Sequence, residues 1–350
     1  MASKYTPALL PLLKTVQRIV VTCHSDPDGD AVAALLAMSQ SLKKMGRWDI
    51  RAVSPGRVPA SYQFLPGWKM IESYYQEMLE TPEGVGIKNA VLAADAIISL
   101  DASDINRLGL LYSHSPKKLE SVILINIDHH PSNTDFGTLN IVDPSAAAVC
   151  ELLAQIMEEE DLPITEDVAN ALLVGIVTDT LGFRTSATSA RTLRVAANLM
   201  ERGASLSRIS ERIFNTRSPR TLRLWGEVLS RTNIDRDLVW ADITNEMLAK
   251  CDASLEDADT LVDFIAGIPD TSAAFLFSEQ GGKVRVSMRT SEALNAADLA
   301  KTFGGGGHAR AAGCTLVGTM KEVQSIILGE ARRRIALIAS EGEKQQTTKV

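Results

Sequence analysis

Four acids stand where apolar runs of this chain end, and two of those ends also carry imidazoles. Ile123-Leu124-Ile125-Asn126-Ile127 leads into Asp128-His129-His130. Residues 19–23 lead into His24-Ser25-Asp26-Pro27-Asp28-Gly29-Asp30, residues 96–100 into Asp101, and the run Leu172-Leu173-Val174-Gly175-Ile176-Val177 reaches Asp179. Short apolar β-favouring runs read as buried strands of a parallel sheet, and open α/β sheets bind ligands at the carboxyl ends of such strands. One Asp beside one His would ordinarily be a hydrogen bond closing a strand; the recurrence of the pattern argues for chemistry. Pro27 and Gly29 make a sharp turn between acids, which lets His24, Asp28 and Asp30 converge. A surface loop rich in Asp has the same residues, but crowded like charges do not all ionise unless a cation neutralises them.

The chemistry implied is that of divalent metal ions. Carboxylates with two imidazoles suit a hard-to-borderline ion, the imidazoles favour Mn2+ over Mg2+, and the lack of thiolate argues against structural zinc. His24, Asp28, Asp30, Asp101, His129 and Asp179 exceed the need of one ion. Two ions about 3.5–4 Å apart, sharing a bridging carboxylate, are the economical arrangement, and that is the machinery of phosphoester hydrolysis.

The elements that must position these residues follow from periodicity. A helical pattern over 31–45 is closed by Gly46, residues 49–53 form a second strand, and Asp104 is placed to cap a helix running to Tyr112. Residues 138–142 read as a strand and 146–157 as a helix, and Thr165 with Glu166 and Asp167 opens another that runs on into the apolar stretch 172–180. The stretch 69–95 carries no recognisable chemistry, and its first part reads as peripheral helix and loop. Alternation of this kind predicts an α/β fold: a parallel-sheet, Rossmann-like metal-binding domain over 1–190. Residues 191–232 read as a helical connector. Between 191 and 236 stand ten arginines against four acids, either a solvated helical face or a phosphate-facing wall.

Strand signals at 238–244, 273–277 and 284–288, the last two joined by Gly281-Gly282, predict an antiparallel hairpin within a smaller mixed α/β domain over 233–340. A catalytic cleft is expected between the two domains. Gly304-Gly305-Gly306-Gly307 precedes His308-Ala309-Arg310-Ala311-Ala312-Gly313. A glycine run is ordinarily a flexible linker, but one followed by such a segment lets successive N–H groups form an anion-binding nest. The polar stretch 341–350 reads as a disordered tail.

A length of 350 residues suits two cores, and no apolar run reaches the ~18 to 20 residues of a membrane span. The N-terminal apolar patch, broken by Pro7 and Pro11, reads as a first helix and not a signal peptide. Cys23, Cys150, Cys251 and Cys314 are scattered singly, which suggests neither a disulfide framework nor a zinc site and fits a reducing cytoplasm. A net charge of −7 disfavours coating long duplex nucleic acid or an anionic membrane.

The segments HSDPDGD at 24–30, LDASD at 100–104, DHH at 128–130 and VTDT at 177–180 resemble motifs one to four of the DHH phosphoesterase superfamily. GGGGHARAAG at 304–313 resembles the hallmark of its DHH-associated C-terminal domain, and VSMRT at 286–290 the substrate-binding strand upstream of it. DHHPSN, Phe183-Arg184 after TDT, and the lack of appended domains are most similar to the stand-alone nanoRNase and pAp phosphatase group. The resemblance implies one ion on His24, Asp28 and Asp101 and another on Asp30, Asp101, His129 and Asp179, with Asp101 bridging and a hydroxide between the ions attacking phosphorus. It also implies catalytic roles for His130, facing the substrate phosphate, and Asp128, orienting the imidazoles, with Arg289, Gly305, Gly306, Gly307 and His308 holding the nucleotide. Ala33-Ala34 stand where the family often shows Gly-Ser, and Thr290 where Ser is usual.

The function so implied is hydrolysis of very short oligoribonucleotides and of 3′-phosphoadenosine 5′-phosphate with two Mn2+, for which Mg2+ or Co2+ could substitute. The partners are small nucleotide phosphates, not duplex nucleic acid or membrane, and a homodimer is compatible with this reading. The nearest rival is a cyclic di-AMP or pApA phosphodiesterase. A pyrophosphatase or polyphosphatase, a RecJ-type DNA exonuclease and a non-catalytic nucleotide-binding module are more distant.

Overall fold

Each apolar run that ends in an acid, save one, folds as a strand of one parallel sheet. The computed structural model describes residues 9–258 and 260–347, and the chain divides into two units, Met1–Thr216 and Arg217–Val350. In the first unit β1 (Arg18–Cys23), β2 (Asp49–Ser54), β3 (Ile71–Ser73), β4 (Ala96–Leu100), β5 (Ile123–Asp128) and β6 (Leu139–Val142) pair in parallel. Their order is β3-β2-β1-β4-β5-β6. The order reverses between β1 and β4, where such sheets leave a crevice at their carboxyl edge. Both faces of β1, β4 and β5 are covered, which is why these strands read as continuous apolar runs. Ile98 and Ile125 face one core with Leu36, Leu153 and Leu172, while Val20, Ile97 and Leu124 face another with Tyr74, Ile87 and Leu119.

The exception is Asp179. Residues Glu166–Asp179 are one helix capped by Thr165, and Asp179 is its last residue, not a strand end. The run before it is apolar because the helix is buried on most sides, a pattern that periodicity alone does not distinguish from a strand. This helix packs directly on Gly29–Met45, and glycines make the approach possible. A Cβ on Gly29 would stand 2.5 Å from Thr178 Cγ2, and one on Gly175 would stand 2.3 Å from Cys150 Sγ and 2.4 Å from Asp30 Oδ1.

Smaller differences have local causes. Gly29 and Asp30 already belong to the helix, because Asp28 caps it by accepting from the amides of Asp30 and Ala31. Asp104 caps a 3-10 turn, Ile105–Leu108, and Leu110–His114 is a separate helix after Gly109, whose φ of 53° breaks the run. The short edge strand β3 lies in the stretch read as helix and loop, and the helix expected from 146 begins at Val149.

The expected connector over 191–232 is helical but does not stand apart. Ala190–Glu201 buries Val195, Ala196 and Leu199 in the first unit, whereas Pro219–Leu229 buries Leu224 and Val228 in the second. Each helix is amphipathic, and its apolar stripe decides where it belongs. Several of the arginines meet acids: Arg191 with Asp143 and Glu151, Arg202 with Glu158, Arg220 with Asp257, Arg231 with Glu227.

The second unit is a mixed sheet, β11-β12-β10-β9-β8-β7, made of β7 (Asn233–Asp235), β8 (Leu238–Ile243), β9 (Ala273–Gln280), β10 (Lys283–Thr290), β11 (Gly306–Gly307) and β12 (Ala311–Val317). β9 and β10 are the expected hairpin, with positive φ at Gly281 and Gly282, whereas β8 pairs with β9 in parallel. The last helix, Met320–Thr347, runs through most of the stretch expected as a tail, whose Glu, Lys and Gln residues are good helix formers. Residues 348–350 lie outside the described residues. No helix among the described residues is long and apolar enough to cross a membrane.

Candidate metal centre

Adjacent pairing of β1 and β4 sets Cys23 opposite Leu100, so the next residues, His24 and Asp101, emerge together at the carboxyl edge. Asp101 then turns into the left-handed region, φ 58°, with its amide donating to the Ile127 carbonyl at 3.0 Å. Such a backbone is uncommon outside glycine, though Asp adopts it more readily than most residues. The turn aims the carboxylate at three imidazoles: His24 Nε2 at 3.6 Å, His129 Nε2 at 3.5 Å and His130 Nδ1 at 3.6 Å. Asp28 lies 3.9 Å from His24 Nε2, and Asp179 lies 3.4 Å from His129 Nε2.

Three groups have ligand atoms mutually within 4.8 Å: His24, Asp28 and Asp101; Asp30, His129 and Asp179; and Asp101, His129 and His130. All six residues expected to hold ions are thus brought together, although they come from three strand ends, one loop and the opposite ends of two helices. His24, Asp30, Asp101 and His129 are buried, and the Asp28 side chain is 57% exposed.

Without cations this site is electrostatically unfavourable. Asp30 accepts from the amides of Val149 at 2.6 Å and Cys150 at 3.1 Å, the amino end of the helix Val149–Glu159, yet burial and the charge of Asp101 push its carboxyl up to about 7. Burial and the charges of Asp30, Asp28 and Asp101 push Asp179 well above the carboxylate range. Burial opposes ionisation of Asp101 and of His24, but their mutual attraction and the neighbouring groups win, holding Asp101 down at about 2 and His24 up at about 10. His24 Nδ1 and Asp101 Oδ1 are buried without a hydrogen-bond partner. Cys150 is close to Asp30, but burial and that acid raise its thiol well above its ordinary value, so the donor set is oxygen and imidazole nitrogen. A hard-to-borderline divalent cation fits it.

Asp128 is fully buried and accepts from His130 Nδ1 at 2.7 Å and from Asn133 Nδ2 at 2.6 Å. It therefore orients one imidazole and not both. His129 Nδ1 donates instead to the Ala146 carbonyl at 3.2 Å, which leaves Nε2 as the lone-pair atom facing Asp101 and Asp179. Asn133, which also donates to the Ala102 carbonyl and accepts from Asn126, is a positioning residue that sequence reasoning passed over. The one available signal was an amide closely following two histidines.

In the second unit, Arg289 on β10 pairs across the sheet with Ala311, and His308 closes the β11–β12 turn through reciprocal backbone bonds with Ala311. Arg289 is forked onto Asp263, with Nε 2.6 Å from Oδ1 and Nη2 3.3 Å from Oδ2. The glycines do not form the expected nest. The amides of Gly304, Gly305 and His308 donate to the carbonyls of Lys301, Ala300 and Ala311, and β11 pairs with β12. Glycine is needed here for contact: a Cβ on Gly305 would stand 2.2 Å from the Gly313 oxygen, and one on Gly307 would stand 2.5 Å from the Ala311 oxygen.

Comparison with known proteins places these features. Residues 18–176 match the DHH family N-terminal domain, and residues 244–336 match the DHHA1 domain. The chain is 32% identical to the bifunctional oligoribonuclease and PAP phosphatase NrnA of Thermus thermophilus over 88% of its length and 87% of that protein. It is 25% identical to the Bacillus subtilis protein of the same description, over 88% of this chain and 92% of that one. The crystal structure of an exopolyphosphatase-related protein from Bacteroides fragilis superposes with a TM-score of 0.86 at 23% identity, covering 95% of this chain and 96% of that one, so the fold is shared.

Proposed function

The chain belongs to the DHH family of phosphoesterases, and from that premise we propose that it hydrolyses very short oligoribonucleotides and the 3′-phosphate of adenosine bisphosphate, using two divalent ions of which Mn2+ suits the donors best. The observation that carries this reading is the shared carboxylate: Asp101 faces His24, His129 and His130 at 3.6, 3.5 and 3.6 Å, with Asp28, Asp30 and Asp179 around them. His24, Asp28 and Asp101 would hold one ion, and Asp30, His129, Asp179 and again Asp101 the other. When bound, such ions neutralise the phosphate and supply a nucleophile at neutral pH.

The remaining roles fall to the chain itself. Asp128 accepts from His130 Nδ1 and so fixes the orientation of the imidazole that would face the substrate phosphate. His130 would thereby stabilise charge that grows in the transition state. In the second unit Arg289 and His308 would hold a nucleotide phosphate, the Arg289 guanidinium being kept in place by Asp263 on Nε and Nη2 and by the Met288 carbonyl on Nη1. Gly305 to Gly307 let the backbone come close. A grip of one arginine and one imidazole, in a chain with 5% aromatic residues, supplies few stacking platforms for a long strand. Substrate length would therefore be short.

The test is turnover of the purified, Mn2+-loaded protein on adenosine bisphosphate, pApA, cyclic di-AMP, pyrophosphate and RNA of two to twenty nucleotides. Fastest turnover is expected on adenosine bisphosphate and the shortest RNAs. Preference for cyclic di-AMP or pyrophosphate, or equal efficiency on two and twenty nucleotides, would count against the reading.

A further inference from the structure

The loop 143–148, between β6 and the Val149–Glu159 helix, supplies backbone groups that hold the site. The Ala146 carbonyl receives His129 Nδ1 at 3.2 Å, and the Asp143 amide donates to the Asp128 carbonyl at 3.0 Å. Immediately after it, the amides of Val149 and Cys150 hold the Asp30 carboxylate. The loop sequence, Asp-Pro-Ser-Ala-Ala-Ala, has little with which to fix its own shape.

A buried ionic network fixes it from both sides. Asp143 and Glu151 are 2% and 0% exposed. Asp143 Oδ1 accepts from the amide of Ser145 at 3.0 Å and from its hydroxyl at 2.6 Å. Glu151 Oε2 accepts from the Ala147 amide at 3.0 Å and the Thr192 hydroxyl at 2.9 Å. Arg191, at the start of the helix Ala190–Glu201, joins the two acids, with Nη1 2.8 Å from Asp143 Oδ2 and Nε on Glu151 Oε1. Burying two acids against a partly exposed arginine is a poor way to gain stability, since apolar packing of the same volume generally does as well. What such a network offers instead is a fixed geometry.

We propose that Arg191, Glu151 and Asp143 are positioning residues for the ion held by Asp30, His129 and Asp179. By setting the loop 143–148 they set the direction of His129 Nε2 and of the Asp30 carboxylate. His24, Asp28 and Asp101 are held instead by β1, β4 and the amino end of the Gly29–Met45 helix, so the two ions should respond differently. The inference rests on the metal reading above.

Calorimetric titration of the metal-stripped full chain with Mn2+ tests it. In Glu151→Gln and Arg191→Met one of two binding steps weakens by roughly 10–100-fold, as when a group behind a ligand is lost, while the other is unchanged. The kcat on a diribonucleotide falls without a matching rise in KM, and Arg191→Lys, which keeps a cation between the acids, recovers part of both. Should Arg191→Met fail to fold, Glu151→Gln and Arg191→Lys, which change neither volume nor packing much, give the same separation of steps. Two unchanged steps, or equal weakening of both steps alongside a lowered melting temperature, would overturn the proposal. A wild-type chain that binds fewer than two Mn2+ overturns the metal reading on its own.

Discussion

Asp101→Asn isolates the charge at the centre of the site while sparing its backbone. Asn, like Asp, tolerates the left-handed conformation that residue 101 adopts at φ 58°, so the turn should survive where Ala would strain it. The carboxylate lies 3.5 Å from His129 Nε2. At that distance a unit charge interacts with a unit positive partner by about 4.7 kcal/mol at an effective dielectric near 20, which is roughly 3.5 powers of ten in affinity. A divalent ion carries more charge, and Asp101 is shared between both sets of ligands. Loss of about three powers of ten in metal affinity is therefore a lower bound. Metal content after dialysis, read by plasma mass spectrometry, should become substoichiometric, and kcat on a diribonucleotide and on adenosine bisphosphate should fall in parallel by about a thousandfold or more. A variant that keeps two ions per chain and turnover within about tenfold of wild type would refute the reasoning, because the charge would then be irrelevant to both ions.

His130→Ala should keep both ions, since Nδ1 is engaged by Asp128 at 2.7 Å, yet lose about 10²–10³ in rate as when a preorganised donor is removed; loss of an ion would make it a ligand. Gly175→Ala puts a Cβ within 2.3 Å of Cys150 Sγ and 2.4 Å of Asp30 Oδ1, so denaturant unfolding should show a loss of about 1–3 kcal/mol together with weaker Mn2+ binding, and an unperturbed variant would contradict the packing argument. The metal-free chain should lose stability as pH rises. Asp30 is raised to about 7 in the fold, so its contribution is complete below its unfolded value near 3.8 and lost through about 7, and His24, raised to about 10, acts in the same direction above 6.5. The melting temperature in chelator should accordingly fall from about pH 5 to about pH 9 while Mn2+ affinity climbs, because the ions displace those protons; a melting temperature that rises over that range would refute the assignment.

The site was legible where chemistry and chain direction coincide. His24, Asp101 and Asp128 stand at the ends of strands whose continuous apolar character already implied a sheet covered on both faces, and the carboxyl edge of such a sheet gathers the residues that terminate its strands. The helix opened by Thr165 was legible as running into the apolar stretch before Asp179, but that this acid ends the helix and not a strand was not, because a helix buried on most of its faces and a buried strand share that pattern. Arg191 was hidden for a different reason. Its partners, Asp143 and Glu151, lie 48 and 40 residues earlier, and composition registers only a basic segment, not which arginine turns inward. The glycine run suggested a nest from its freedom, whereas its use, the close pairing of β11 with β12, depends on a partner strand that local sequence does not name. The connector failed as a separate segment because the decision between two cores is made by apolar stripes, not by the charges that dominated its composition.

Two ions sharing one carboxylate are the centre of the proposed chemistry, and anomalous diffraction from a crystal of the Mn2+-loaded chain tests that directly. The expected result is two peaks about 3.5–4 Å apart, one beside His24 and Asp28, the other beside Asp30, His129 and Asp179, with Asp101 touching both. A single peak, or a pair that leaves Asp101 uncoordinated, would contradict it.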